Sequence, residues 1–140
     1  MKKYSCMLIL FAFSFLFKSC VGSVYDEKLN GGYYLSALDL KEDMSIGFQD
    51  SIYGIGIIEP TVFSVGQNKD FIIAKQHPIV NNQMPNKSVI NYFIIPLSYK
   101  ISKSIDSNFY GPLSLIDFEV KRKELGISNL KFAIQFPELE

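Results

Sequence analysis

The sequence predicts an α+β fold, mainly β: an antiparallel sheet of five or six strands with one C-terminal α-helix packed on it. Three observations lead there. Met44, Ile46 and Phe48 alternate with Ser45, Gly47 and Gln49, the period of two expected of a strand with one buried face. FIIA (71–74) and YFII (92–95) are unbroken apolar runs, as in strands covered on both faces. Residues 114–126 carry the start, repeat and stop signals of one helix.

The first strand is YYLSAL (33–38), ended by Lys41-Glu42-Asp43. The alternating strand follows, then a turn at Asp50-Ser51 and the strand YGIGII (53–58). Pro60 stops that strand because it has no N–H to give a ladder. VFSV (62–65) and FIIA flank Gly66-Gln67-Asn68-Lys69-Asp70, a hairpin loop of suitable length. IVNNQMPNKS (79–88) reads as a loop, and VINYFII (89–95) is the last clear strand, closed by Pro96. FIIA and YFII should be central, with something lying on each face of their sheet.

In the helix, Ser114 is the N-cap and Asp117, three residues on, resembles a capping box, with Leu113 and Phe118 as its staple. Leu115, Phe118, Arg122 and Leu125 share one face, and Asp117–Lys121 and Glu119–Lys123 are i,i+4 pairs. Gly126 stands where a left-handed residue ends a helix.

The amino terminus has a different composition. A basic start at Lys2 and Lys3 precedes the apolar run Ser5–Phe17, 13 residues long. A helix of that length rises ~20 Å against a hydrocarbon core of ~30 Å, so it reads as a secretory signal rather than a spanning anchor. Ser19-Cys20 at its end resembles the lipobox of bacterial lipoproteins, with Phe17 and Lys18 departing from the usual aliphatic and small residues. That resemblance implies cleavage before Cys20 and acylation of its sulfur and new amino group, since two or more chains hold where one does not. Cleavage after Ser19 or Gly22, giving a soluble secreted protein, is the alternative. The chain thus divides into a signal (1–19), a lipidated Cys20 with a flexible tether to residue 32, and one globular domain (33–140).

Composition narrows the function classes. The chain has 14 basic and 14 acidic residues, which gives no basic face for nucleic acid. Removing residues 1–19 takes Lys2, Lys3 and Lys18 and no acid, leaving 11 basic against 14 acidic residues, a net charge of −3. Cys6 leaves too, so the exported domain has no disulfide and must stand on its core.

No chemistry-bearing motif is complete. His77, the single histidine, cannot make a His-rich metal site and reads as a polar residue at a strand end. There is no G-x-S-x-G elbow, and Gly54-Ile55-Gly56 lacks the third glycine and helix of a phosphate loop, so it marks a bulge or close backbone approach. Asp39, Glu42, Asp43 and Asp50 lack calcium-loop spacing and read as solvated turn acids. Lys121-Arg122-Lys123, interleaved with acids, reads as a solvated face. Tyr33, Tyr34, Tyr53, Tyr92, Tyr99 and Tyr110 supply contact area at low entropy cost where exposed, and core where not. The expectation is no catalytic residue, no metal, no cofactor and no assignable ligand-binding residue.

GGYYLSALD (31–39), VFSVGQNKDFIIAKQHP (62–78) with NYFII (91–95), and GPLSLIDFEVKRKELGI (111–127) together resemble an uncharacterised family of small bacterial lipoproteins, a domain of unknown function. The resemblance implies an exported β-rich domain at the cell envelope, held by membrane lipid, and carries over no catalytic residue. The expected function is a non-enzymatic envelope module binding a protein, peptide or glycan. Its alternative is an inhibitor or immunity-type protein acting on a secreted enzyme or toxin.

Overall fold

The uninterrupted apolar runs lie where covering on both faces requires them. In the computed structural model, which describes residues 22–50, 53–81, 84–97 and 109–140, nine strands form two antiparallel sheets with one helix. Four strands, β1 (Tyr25–Lys28), β2 (Tyr33–Ala37), β3 (Ser45–Asp50) and β4 (Tyr53–Ile58), make the first sheet in sequence order. The second holds β5 (Val62–Gln67), β6 (Phe71–Gln76), β7 (Asn91–Pro96), β8 (Tyr110–Leu113) and β9 (Ile134–Gln135), in the order β8-β7-β6-β5-β9. The helix α1 is Leu115–Glu124.

The fold is α+β and mainly β, with β6 and β7 central in their sheet. Its strands are split between two sheets because two different coverings were needed. Ile72, Ala74, Phe93 and Ile95 pack in one core with Leu35, Ile46 and Ile58 of the first sheet and with Met44 just before β3. Ile73, Tyr92 and Ile94, pointing the other way, pack with Phe118 of α1 and Ile127. The layers therefore run first sheet, second sheet, helix. Three strands, β1, β8 and β9, add to those read in the sequence; they are four, four and two residues long, too short to show a period.

Residues 25–32 correct the predicted tether. Tyr25 to Lys28 pair with β2 in register Tyr25↔Ala37 to Lys28↔Tyr34, and Asn30–Gly32 form a 3₁₀ turn. The charges of Asp26, Glu27 and Lys28 hide the strand in the sequence. Its inner side chain, Tyr25, packs edge-on against Phe136 with ring centres 5.1 Å apart. Cys20 and, at the predicted Asp50-Ser51 turn, Ser51 lie outside the described residues.

The helix ends are as the sequence predicts. The Ser114 hydroxyl accepts from the Asp117 N–H at 3.2 Å and donates to the Asp117 carboxylate at 2.6 Å. At the far end Gly126 has φ 69°, its N–H reaching the Lys123 carbonyl at 3.2 Å and the Ile127 N–H the Arg122 carbonyl at 2.9 Å. That pair of bonds is a Schellman motif.

The helix surface differs from expectation. Leu115 is 54% exposed, while Arg122 is 9% exposed. The Arg122 guanidinium donates to the carbonyls of Ser128 at 2.8 Å and Leu130 at 2.6 Å, and pairs with Glu119 at 2.8 Å. It ties down the segment after the helix and is no solvated charge. The ion pairs are the i,i+3 pairs Lys121–Glu124 and Glu119–Arg122, because Arg122 draws Glu119 from Lys123.

Candidate functional site

Alternation in the first sheet sends one set of side chains into the core and leaves the other on a face that no element among the described residues covers. On β2, Tyr33 and Leu35 are buried while Tyr34 and Ser36 point outward. Across from them Gly47 pairs with Tyr34 and with Gly56, and Ser45 with Ser36. The register shifts between Ile46 and Gly47, which face Ile58 and Gly56 and leave Ile57 as the extra residue, just past the Gly54-Ile55-Gly56 stretch read as a bulge or close backbone approach.

The glycines are needed by one ring. A Cβ on Gly47 would stand 2.3 Å from the Tyr34 Cζ, and one on Gly54 would stand 2.6 Å from the Tyr34 hydroxyl. Tyr34 therefore lies flat across three strands on a floor without side chains. Beside it an open hollow of about 550 Å³ is floored by Gly47 and Gly56 and walled by Leu38, Ile58 and Pro60. That volume falls in the range of small-ligand sites, ~300–1,000 Å³.

The rim is polar and acidic. Ser36, Ser45, Asp39, Asp43 and Glu59 reach it, with Glu59 Oε1 4.0 Å from the place a Gly56 Cβ would take. Asp43 also accepts from the Leu40 N–H at 3.0 Å, capping the short turn Lys41–Asp43. Among the described residues no side-chain partner is found for Asp39 or Glu59. Hydroxyls, carboxylates and an aromatic face offer contacts to a polar, partly apolar ligand.

His77 is elsewhere. It follows β6, is 1% exposed and stacks on Phe63 with ring centres 4.3 Å apart and planes 13° apart. Its Nδ1 lies 2.8 Å from the Val89 carbonyl; a carbonyl only accepts, so Nδ1 donates, and in the neutral ring Nε2 is a bare acceptor. Nε2 is buried with no partner among the described residues. The arrangement that would favour a hydrolase, His77 beside a carboxylate in a cleft, is absent among the described residues.

The other singled-out residues separate. Tyr33 and Tyr92 are buried, Tyr110 is 37% exposed, and Tyr99 lies outside the described residues. Burial pushes the Tyr33 and Tyr92 phenols up. Glu42 and Asp39 are exposed in the β2–β3 connection. Among the described residues no group of three or more His, Cys, Asp or Glu is placed to hold a metal ion, and no helix is long and apolar enough to cross a membrane.

The sequence reading misses the hollow itself. Its signal is the coincidence of an outward Tyr34 with Gly47, Gly54 and Gly56 on one face, visible only once the register of β2, β3 and β4 is known. No curated protein and no solved structure matches the chain. Residues 30–139, from the 3₁₀ turn before β2 almost to the end, match one family profile, and the chain thus belongs to the family described as Protein of unknown function (DUF3997).

Proposed function

We propose that this protein is a membrane-anchored bacterial lipoprotein of the cell envelope, acylated at Cys20, whose domain is a non-enzymatic binding module. The observation that carries the reading is the open outer face of the first sheet. Among the described residues, the core between the sheets and the helix over the second leave that face uncovered, and it holds the hollow beside Tyr34. An extended peptide segment or a glycan of an envelope partner suits its shape: an aromatic platform for apolar area, with hydroxyls and carboxylates for orientation.

Two measurements test this. Cys20→Ser should abolish metabolic labelling by a palmitate analogue; label that persists rules out acylation there. The wild-type chain should retain a stoichiometric partner from detergent-solubilised envelope, and Tyr34→Ala should lose it while Lys69→Ala keeps it. Equal retention by Tyr34→Ala moves binding off this face. A retained partner that proves to be a secreted enzyme or toxin, inhibited on binding, would make the protein an inhibitor or immunity-type factor using the same surface.

A further inference from the structure

We infer that the end of the sandwich at which the amino-terminal segment joins the fold is a lipid-facing end, seated on the interface of the bilayer that holds Cys20. The inference rests on the anchoring proposed above and adds an orientation to it.

The strand ends define two ends of the molecule. The Val24 N–H donates to the carbonyls of Ala37 at 2.9 Å and Leu38 at 3.2 Å, so the incoming chain lies beside the connection between β2 and β3. Val62 N–H reaches the Met44 carbonyl at 2.7 Å, and Thr61 and His77 exchange backbone bonds at 3.1 and 2.9 Å. These bonds bring the loop between β6 and β7 to the same end.

That end carries exposed apolar side chains from two separate segments. Val24, Leu38 and Leu40 are 50%, 69% and 61% exposed. In the β6–β7 loop Ile79, Val80 and Met84 are 40%, 50% and 85% exposed. The described ends of the loop are held by hydrogen bonds: the Asn86 N–H reaches the Pro78 carbonyl at 2.9 Å, His77 holds Val89, and Lys87 donates to the Glu140 carbonyl at 2.9 Å. At the opposite end the described hairpin between β5 and β6 is polar: the Asn30 N–H reaches Gln67 at 2.8 Å and the Asn30 amide donates to the Asn68 carbonyl at 2.9 Å, beside exposed Lys69 and Asp70.

Reach selects the occupant. Four residue steps separate Cys20 from Val24, at most ~14 Å at ~3.3–3.6 Å each. The headgroup layer fills ~5–8 Å of that gap, and a single packed helix is already ~10 Å across. No folded partner fits between this end and the bilayer. The acyl chains supply the residence, so the side chains need add only an interfacial contact. Asp39, Asp43 and Glu59 lie at this end and disfavour an anionic surface; the interface that suits it is zwitterionic.

The test uses the full chain, processed in a bacterial host and reconstituted in phosphatidylcholine vesicles. Leu40→Cys, Met84→Cys and, in the β5–β6 hairpin at the opposite end, Lys69→Cys each carry a polarity-sensitive dye; all three sites are exposed and none lines the hollow, so fold and binding face tolerate the label. Expected are a blue shift at positions 40 and 84 with loss of emission on brominated lipid, and neither at position 69. Spectra at 40 and 84 matching that at 69 would overturn the seating. So would a blue shift untouched by bromine, which would mean that a protein or a second copy covers this end. The mass of the amino-terminal peptide reads the anchor separately. An unmodified Cys20 removes both proposals, and an acylated Cys20 with unshifted dyes removes only this one.

Discussion

The two sheets have opposite outer faces. The second sheet turns Ile73, Tyr92 and Ile94 outward against Phe118 of α1, and its central strands accordingly have no polar alternation. The first sheet turns out Tyr34, Ser36, Ser45 and three glycines, with nothing laid over them among the described residues. The contrast teaches that the two outer faces differ residue by residue in what they can bury. A face of hydroxyls and glycines has little apolar area to bury and much to offer a ligand. The same contrast separates the helix's two cations of interest, since buried Arg122 supports the covered face and exposed Lys123 supports nothing.

The largest expected effect breaks the covered face. Ile73→Asp or Ile94→Asp, both at fully buried positions, should cost at least about 5 kcal/mol and unfold the domain, whose whole stability is of order 5–15 kcal/mol. Cooperative unfolding near the wild-type midpoint would show that this face is not a core. Next is the guanidinium: Arg122→Ala strands the carbonyls of Ser128 and Leu130 and should cost about 2–4 kcal/mol in denaturant. Lys123→Ala should stay within ~0.5 kcal/mol, and equal losses would return Arg122 to the surface.

On the open face, Gly47→Ala should cost about 1–3 kcal/mol because the new methyl displaces Tyr34. The double variant Gly47→Ala/Tyr34→Ala should recover most of that loss, since the clash needs both partners. Additive losses would show that the glycine serves the backbone and not the ring.

The smallest effect concerns β1. Burial, the hydrogen bond to Glu27 and the charge of that carboxylate push the Tyr25 phenol up from 10 to about 12. The folded state thus keeps the neutral phenol after the unfolded chain has begun to ionise. This contribution is complete below pH about 10 and lost as pH rises through about 12. Denaturant midpoints over that window should fall less steeply in Tyr25→Phe; identical slopes would place Tyr25 outside the folded unit.

Much of the second sheet was legible in advance. The hairpin of β5 and β6, the end of β4 before Pro60, the loop after His77 and both helix caps are local effects, set within a few residues by N–H supply, turn chemistry and apolar period. The two-sheet layering was legible only as a requirement that something lie on each face of β6 and β7. β1 was read as tether because four residues with three charges carry no signal until Ala37 and Leu35 stand opposite. Arg122 was read as solvated because a triplet of cations shows nothing of the carbonyls that loop back to it.

Taken alone, the sequence determined the six longer strands and the helix, the helix's two ends, and that two strands must be covered on both faces; these follow from each residue's own geometry and its near neighbours. Only the tertiary structure decided which elements do the covering, that Tyr34 meets Gly47 and Gly54, that His77 is buried away from the acids, and that the apolar loop and the amino-terminal segment share one end. The physical reason is that pairing register and layer packing join residues tens of positions apart, and the side chains meeting there need no common pattern along the chain.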